Sequence, residues 1–137
     1  MNPTSFVGWI EVARERATDA RALLRDVPRH VAAVYLAGYA IECSLKAYLQ
    51  RSGLPLPRYG REGHNLRGLW ERAGLRVSDL SDAAGEKTFF IERWSTDLRY
   101  EVRLDVGLTA EGLVDAASKL SSYVQSQLRW TRGRRRL

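Results

Sequence analysis

The sequence predicts an all-α protein, an antiparallel bundle of four or five helices. Three observations carry that prediction. Apolar residues recur at spacings of three and four along nearly the whole chain, the period of one helix face. The segments showing this period are joined by short stretches, several of them rich in Gly and Pro. One segment, Val31 to Ile41, runs eleven residues without a charge, as a central helix covered on most sides would.

The first helix is expected to start on Ser5 as N-cap and run to about Arg25. Phe6, Ile10, Ala13, Ala17, Ala20 and Leu24 form its apolar face, and Pro28 ends it or opens the next helix. The second helix spans about 29 to 51, stopped by Gly53 and the "LPLP" that follows. Residues 53 to 63 form a loop rich in Gly, Pro and Arg. A short third helix, Asn65 to Ala73, closes on Gly74. A turn around "VSDLSDAAG" leads to a fourth, about Glu86 to Leu98, anchored by Phe89, Phe90 and Trp94. "RYEVRLDVG" alternates as a strand does but has no partner strand, so it reads as an extended connection. The last helix takes Thr109 as N-cap and runs to about Trp130 on Leu113, Ala117, Leu120, Val124 and Leu128. Residues 1–130 thus read as a single domain, and 131–137 as a basic tail.

The net charge of +6 is concentrated. Residues 129 to 137 hold five Arg and no acid, and residues 51 to 76 hold six Arg against two Glu. A basic tail and loop suit a polyanion such as nucleic acid; the plainer alternative is a solvated end. No apolar run is long enough to span a bilayer, and the N-terminus lacks the pattern of a secretory signal. A single cysteine, Cys43, inside the apolar helix reads as a small core residue. The expectation is a cytoplasmic protein without membrane contact. Two distant histidines and one embedded cysteine make no ligand set, so neither a metal nor a cofactor is expected.

A carboxylate interrupts the apolar helix. At 100° per residue, Tyr35, Gly38, Tyr39, Glu42, Lys46 and Leu49 share one stripe. Gly38 is expected to admit another backbone at close range. An exposed Glu–Lys pair at i,i+4 is worth only a few tenths of a kcal/mol, whereas burying an unpaired carboxylate costs several. Glu42 is therefore expected to reach solvent, a cleft, or a cation on a neighbouring element. Arg99 and Arg93 are the candidates, because a guanidinium binds a carboxylate through two hydrogen bonds.

"AAVYLAGYAIECSLKAYL", then "GHNLRGLWERAGL", then "WSTDLRYE", in that order, resemble a HEPN domain. The resemblance covers roughly residues 5 to 128. It implies a bundle of four or five helices, a homodimer, and a place in toxin–antitoxin, anti-phage or RNA-processing systems. A small nucleotidyltransferase-like partner often accompanies such a domain. Catalytic members of the family are metal-independent endoribonucleases with an Arg, four to six residues, then a His, acting on the RNA 2′-hydroxyl and scissile phosphate. Here Arg99 stands where the motif Arg is expected, but no His follows residue 64, so the pair cannot be carried over. Arg25 and His30 match the bare spacing, yet Pro28 interrupts them between two helices.

The candidates for chemistry are accordingly Arg99, Tyr100, Glu42 and His64. Tyr100 offers a hydroxyl or a stacking face. His64 either caps the third helix or lines a polar site with Arg99 and Glu42. Arg58, Arg61 and Arg67, with Arg132, Arg134, Arg135 and Arg136 of the tail, are the nucleic-acid candidates, and Tyr59 and Trp130 the stacking aromatics. The leading expectation is a divergent, non-catalytic, dimeric module that binds RNA, a nucleotide or a partner protein. An endoribonuclease with an altered site is the first alternative. The second is an interaction scaffold whose semi-polar stripe is a dimer interface.

Overall fold

The structure, a computed structural model, describes residues 3–26, 29–57, 63–76, 78 and 80–135. Among them are five α-helices: α1 (Phe6–Arg25), α2 (His30–Arg51), α3 (Leu66–Arg72), α4 (Glu86–Glu92) and α5 (Ala110–Arg135). A 3-10 helix, Thr96–Tyr100, stands between α4 and α5, and no strand occurs among the described residues. The all-α bundle read from periodicity is the observed fold class.

Caps visible in the sequence set most helix ends. The Ser5 hydroxyl accepts from the Gly8 N–H at 3.1 Å, Asn65 Oδ1 from Gly68 at 3.2 Å, and Thr109 Oγ1 from Gly112 at 3.1 Å. Gly53 (φ +74°) and Gly74 (φ +77°) follow α2 and α3 in the left-handed region that a side chain disfavours.

Two helix ends differ from expectation. The fourth helix, expected to reach Leu98, stops at Glu92, and Ser95 is extended (φ −152°, ψ 167°). The Ser95 hydroxyl accepts from the Asp97 N–H at 3.2 Å and starts the 3-10 helix afresh. A serine side chain able to cap locally competes with helix continuation. Asp82, upstream, takes over the start of α4: its carboxylate accepts from the Lys87 and Thr88 N–H groups at 3.0 and 2.7 Å. The last helix, expected to end near Trp130, runs on to Arg135, so the backbone of the basic stretch continues α5.

α1 and α2 form an antiparallel hairpin. Gln50, near the end of α2, donates to the Thr4 carbonyl before α1, and the Arg51 guanidinium lies 5.6 Å from the Phe6 ring centroid. α5 runs antiparallel to α1 and in the same sense as α2, with Arg21 bonded to Ser118 at 2.6 Å and Gln125 to Ser44 at 3.2 Å. Ala17, Ala20, Ala37, Ala40 and Ala117 meet where the three long helices converge, and their small side chains allow close packing. Trp9, which the expected face of α1 omitted, is buried, whereas Phe6, Ile10, Ala17 and Leu24 are only half-buried. α1 is rotated toward Trp9 because Cys43, Ala47 and Leu128 make a second apolar cluster there.

The main core joins Val34, Ile41, Leu45 and Leu49 of α2 to Trp70, Phe90, Leu113 and Leu120. Each such side chain removed from water contributes about 1.5–3 kcal/mol. α2 is buried almost continuously from Ala37 to Ala47, Glu42 and Lys46 included. Of "RYEVRLDVG", expected to be an extended connection, Arg99 and Tyr100 close the 3-10 helix and the remainder is a bent connection without a strand, which brings Arg99 to Leu104 alongside the start of α2.

Candidate functional site

Glu42 does not meet Arg99 or Arg93. It is 3% exposed, and each carboxylate oxygen has its own partner within the fold. Lys46 Nζ lies 3.1 Å from Oε2, and His64 Nδ1 lies 2.8 Å from Oε1. Lys46 is itself buried, its ammonium 5.0 Å from the Trp9 ring centroid. The Glu–Lys pair of the semi-polar stripe is thus a buried pair, closed by His64 from across a loop. The His64 Nδ1 and Glu42 Oε1 atoms share this hydrogen bond, in which a carboxylate oxygen can only accept. His64 does not cap α3; Asn65 does. Arg93 instead lies over Phe89 and donates to the Val106 carbonyl at 3.4 Å.

The rest of the stripe is covered by the chain itself. A Cβ on Gly38 would overlap the Trp94 indole, so an aromatic ring, not a second backbone, fills the space that glycine leaves. Trp94 stacks near Tyr35 (centroids 6.3 Å apart) and meets Tyr39 edge-on at 5.5 Å. The Tyr35 and Tyr39 hydroxyls are 3.0 Å apart. Burial, this hydrogen bond and the Glu42 charge push the Tyr39 phenol well above its usual range, so it stays protonated. With Gly38 and Glu42 facing inward, this stripe is not the exposed dimer face that the scaffold reading required.

Tyr35 leads from this aromatic cluster to the surface, where a cavity of about 630 Å³ opens between the start of α2 and the 99–104 segment. Arg29, His30 and Tyr35 line one side, and Arg99, Glu101 and Arg103 the other. Three guanidinium groups and an imidazole therefore share one concavity with one carboxylate. Arg99 is fully exposed, its guanidinium 4.8 Å from the Tyr100 ring centroid. The Tyr100 and Tyr35 hydroxyls raise the Arg99 pKa further, and its guanidinium is a permanent cation at any physiological pH. Such a cavity can bind a phosphate through charge-assisted hydrogen bonds, and its imidazole can take or give a proton there.

The fold thus places His30 and Arg99 on one cavity, whose lining does not include Arg25, the residue that the bare spacing pairs with His30. Arg25 is exposed and pairs with Asp26 at 3.2 Å. Neither Arg29 nor Arg103 stood out in the sequence; their one signal was a position flanking the ends of the elements that carry His30 and Arg99. His64 lines a separate hollow of about 240 Å³ with Ser95 and Asp97, so the expected grouping of His64, Glu42 and Arg99 divides in two. Arg67 is exposed on α3 and pairs with Glu71 at 3.2 Å, away from the cavity. Arg132, Arg134 and Arg135 fall in the last turns of the α5 backbone. Arg58, Tyr59, Arg61 and Arg136 lie outside the described residues.

Cys43 is buried, and burial pushes its thiol up to about 12, which keeps it an unreactive core residue. No group of three His, Cys, Asp or Glu among the described residues is placed to hold a metal ion. No helix among them is long and apolar enough to cross a membrane.

Comparisons with known proteins give a family and a similar fold. A family model described as HEPN domain matches residues 6–127. The fold is similar to a crystal structure of an archaeal HEPN homologue, at a TM-score of 0.62 and 18% identity. That superposition covers 92% of this chain and 99% of the other. No curated protein matches the sequence.

Proposed function

Because this chain belongs to the HEPN domain family, we propose that it is a divergent, non-catalytic, dimeric module that binds RNA or a nucleotide. Its setting is a toxin–antitoxin or phage-defence type system, with a nucleotidyltransferase-like protein as the expected partner. One observation carries the binding role: Arg29, Arg99 and Arg103 converge with His30 on the cavity beside α2, facing the single carboxylate of Glu101. Phosphate binding by such groups releases counterions, so affinity falls with salt in proportion to the contacts made.

Fluorescence anisotropy of an end-labelled RNA across a salt series tests this reading. Replacing Arg29, Arg99 or Arg103 by Ala should weaken binding of all sequences alike and lower the salt slope by about one each. Unchanged affinity in all three variants overturns it. Sedimentation at micromolar concentration checks the dimer, and co-purification with the product of a neighbouring nucleotidyltransferase-like gene checks the partner.

His30 favours a second reading, a metal-independent endoribonuclease. It lines the same cavity as Arg99, so an imidazole capable of moving a proton stands with a cation capable of stabilising a phosphorane. On this reading the purified protein cuts RNA without metal, and His30→Ala abolishes cutting while binding persists. RNA that stays intact at saturating protein eliminates it.

A further inference from the structure

We infer that Tyr100, in contact with the cavity-lining Arg99, is a base-stacking ledge, and that the ligand is an unpaired nucleotide rather than a duplex or a bare phosphate. The inference rests on the phosphate-binding reading above. Tyr100 is 72% exposed, although a tyrosine ring gains by burial. The other described tyrosines behave otherwise. Tyr35 and Tyr39 sit in the Trp94 cluster, Tyr48 packs against the core, and Tyr123 packs on Trp70 at 6.1 Å.

The Tyr100 ring has one close aromatic or cationic neighbour among the described residues, the Arg99 guanidinium. That group lies 4.8 Å from the ring centroid, and most of the side chain remains open to solvent. Arg99 lines the cavity, and Tyr100, which is not itself part of the lining, adjoins it through this contact. Its backbone is held as well: Tyr100 ends the 3-10 helix, and the Glu101 N–H that follows bonds the Leu98 carbonyl at 3.0 Å. The backbone that carries the ring is therefore held in place, while the ring itself stays open to solvent.

A stacking face next to a phosphate-binding group matches the two halves of a nucleotide. The base lies on the open ring of Tyr100, and its phosphate reaches Arg99 with Arg29 or Arg103. Arg99 beside the ring strengthens the platform by cation–π contact. In a duplex both faces of each internal base are already stacked, so the ledge has nothing to receive; single strands offer free faces. Glu101, the carboxylate in the cavity, repels phosphate there and so confines the anion to the arginines.

The test measures binding of three end-labelled probes of equal length: single-stranded RNA, the same strand with abasic sites, and its duplex. Inorganic triphosphate serves as competitor, and circular dichroism verifies that each variant folds. Tyr100→Ala should weaken the single strand about tenfold and leave the abasic strand and triphosphate unchanged. Tyr100→Phe and Tyr100→Trp should keep the wild-type affinity. The inference is overturned, with the cavity reading intact, if triphosphate and RNA bind but Tyr100→Ala binds the single strand as tightly as wild type. Equal affinity for duplex and single strand also overturns it. If Tyr100→Ala turns a dimer into a monomer without altering ligand affinity, the ring is a protein contact instead. Should none of the probes nor triphosphate bind, both readings fall together.

Discussion

The His64 imidazole lies 2.8 Å from the Glu42 carboxylate, joining a loop to the middle of the most buried helix. Lys46 takes the other carboxylate oxygen at 3.1 Å, so the acid is fully engaged without reaching solvent. Removing one partner of a buried pair costs more than removing both, because an uncompensated charge remains. Lys46→Met should therefore destabilise by about 3–5 kcal/mol. The joint Glu42→Leu and Lys46→Met variant should lie close to wild type. His64→Ala should cost about 1–3 kcal/mol, since His64 is half-exposed and its loss admits water to the carboxylate. Guanidinium denaturation midpoints give this ranking directly.

Gly38 and Trp94 make a comparison of signs. In an open helix, Gly→Ala stabilises by about 1 kcal/mol. At Gly38 the added methyl overlaps the Trp94 indole, so Gly38→Ala should destabilise, by about 1–3 kcal/mol. At Gly68 the same change meets only Asn65 atoms at ordinary contact distance and should stabilise. Trp94→Phe should relieve part of the Gly38→Ala cost, which a double-mutant cycle measures as coupling.

Asp82 sets a pH dependence. Burial alone would raise its pKa, but hydrogen bonds from Thr88 and the Lys87 amide, aided by the Lys87 charge, leave it lowered. A carboxyl depressed on folding stabilises fully above its unfolded value, about 3.9. That contribution fades as pH falls through the depressed folded value. Asp82→Ala should cost about 1 kcal/mol at pH 7. The gap to wild type should close in acid, as thermal melts between pH 7 and pH 2 will record.

Cys43 should resist thiol reagents in the native state even at mildly alkaline pH, because burial holds the thiol at about 12. Labelling should become complete on unfolding. Rapid native labelling would show that the contact of α2 with Trp9 and Leu128 opens readily.

Most of the fold was legible because its signals are local. Ser5, Asn65 and Thr109 announce helix starts within three residues of the N–H groups they bind, and Gly53 and Gly74 announce ends. Ser95 carried the same kind of signal, but a helix run through Phe89, Phe90 and Trp94 looked continuous enough to mask it. Asp82 was harder to read, since it binds five and six residues ahead, beyond the usual capping distance.

The candidate site was legible only in its parts. Arg99, Tyr100, Glu42 and His64 were all named by residue type and setting, yet they do not form one group. His30 drew notice through a spacing that pointed to Arg25, and the structure places it with Arg99 instead. By itself, the sequence determined the helical segments, the Ser5 and Thr109 caps, and the need for Glu42 to reach solvent, a cleft or a cation. Only the tertiary structure decided that Lys46 and His64 meet that need, and that Arg29, Arg99 and Arg103 share a cavity with His30. The physical reason is range. Capping and periodicity act over three or four residues, while the pairing of charges across a bundle depends on how each helix rotates to bury its apolar face.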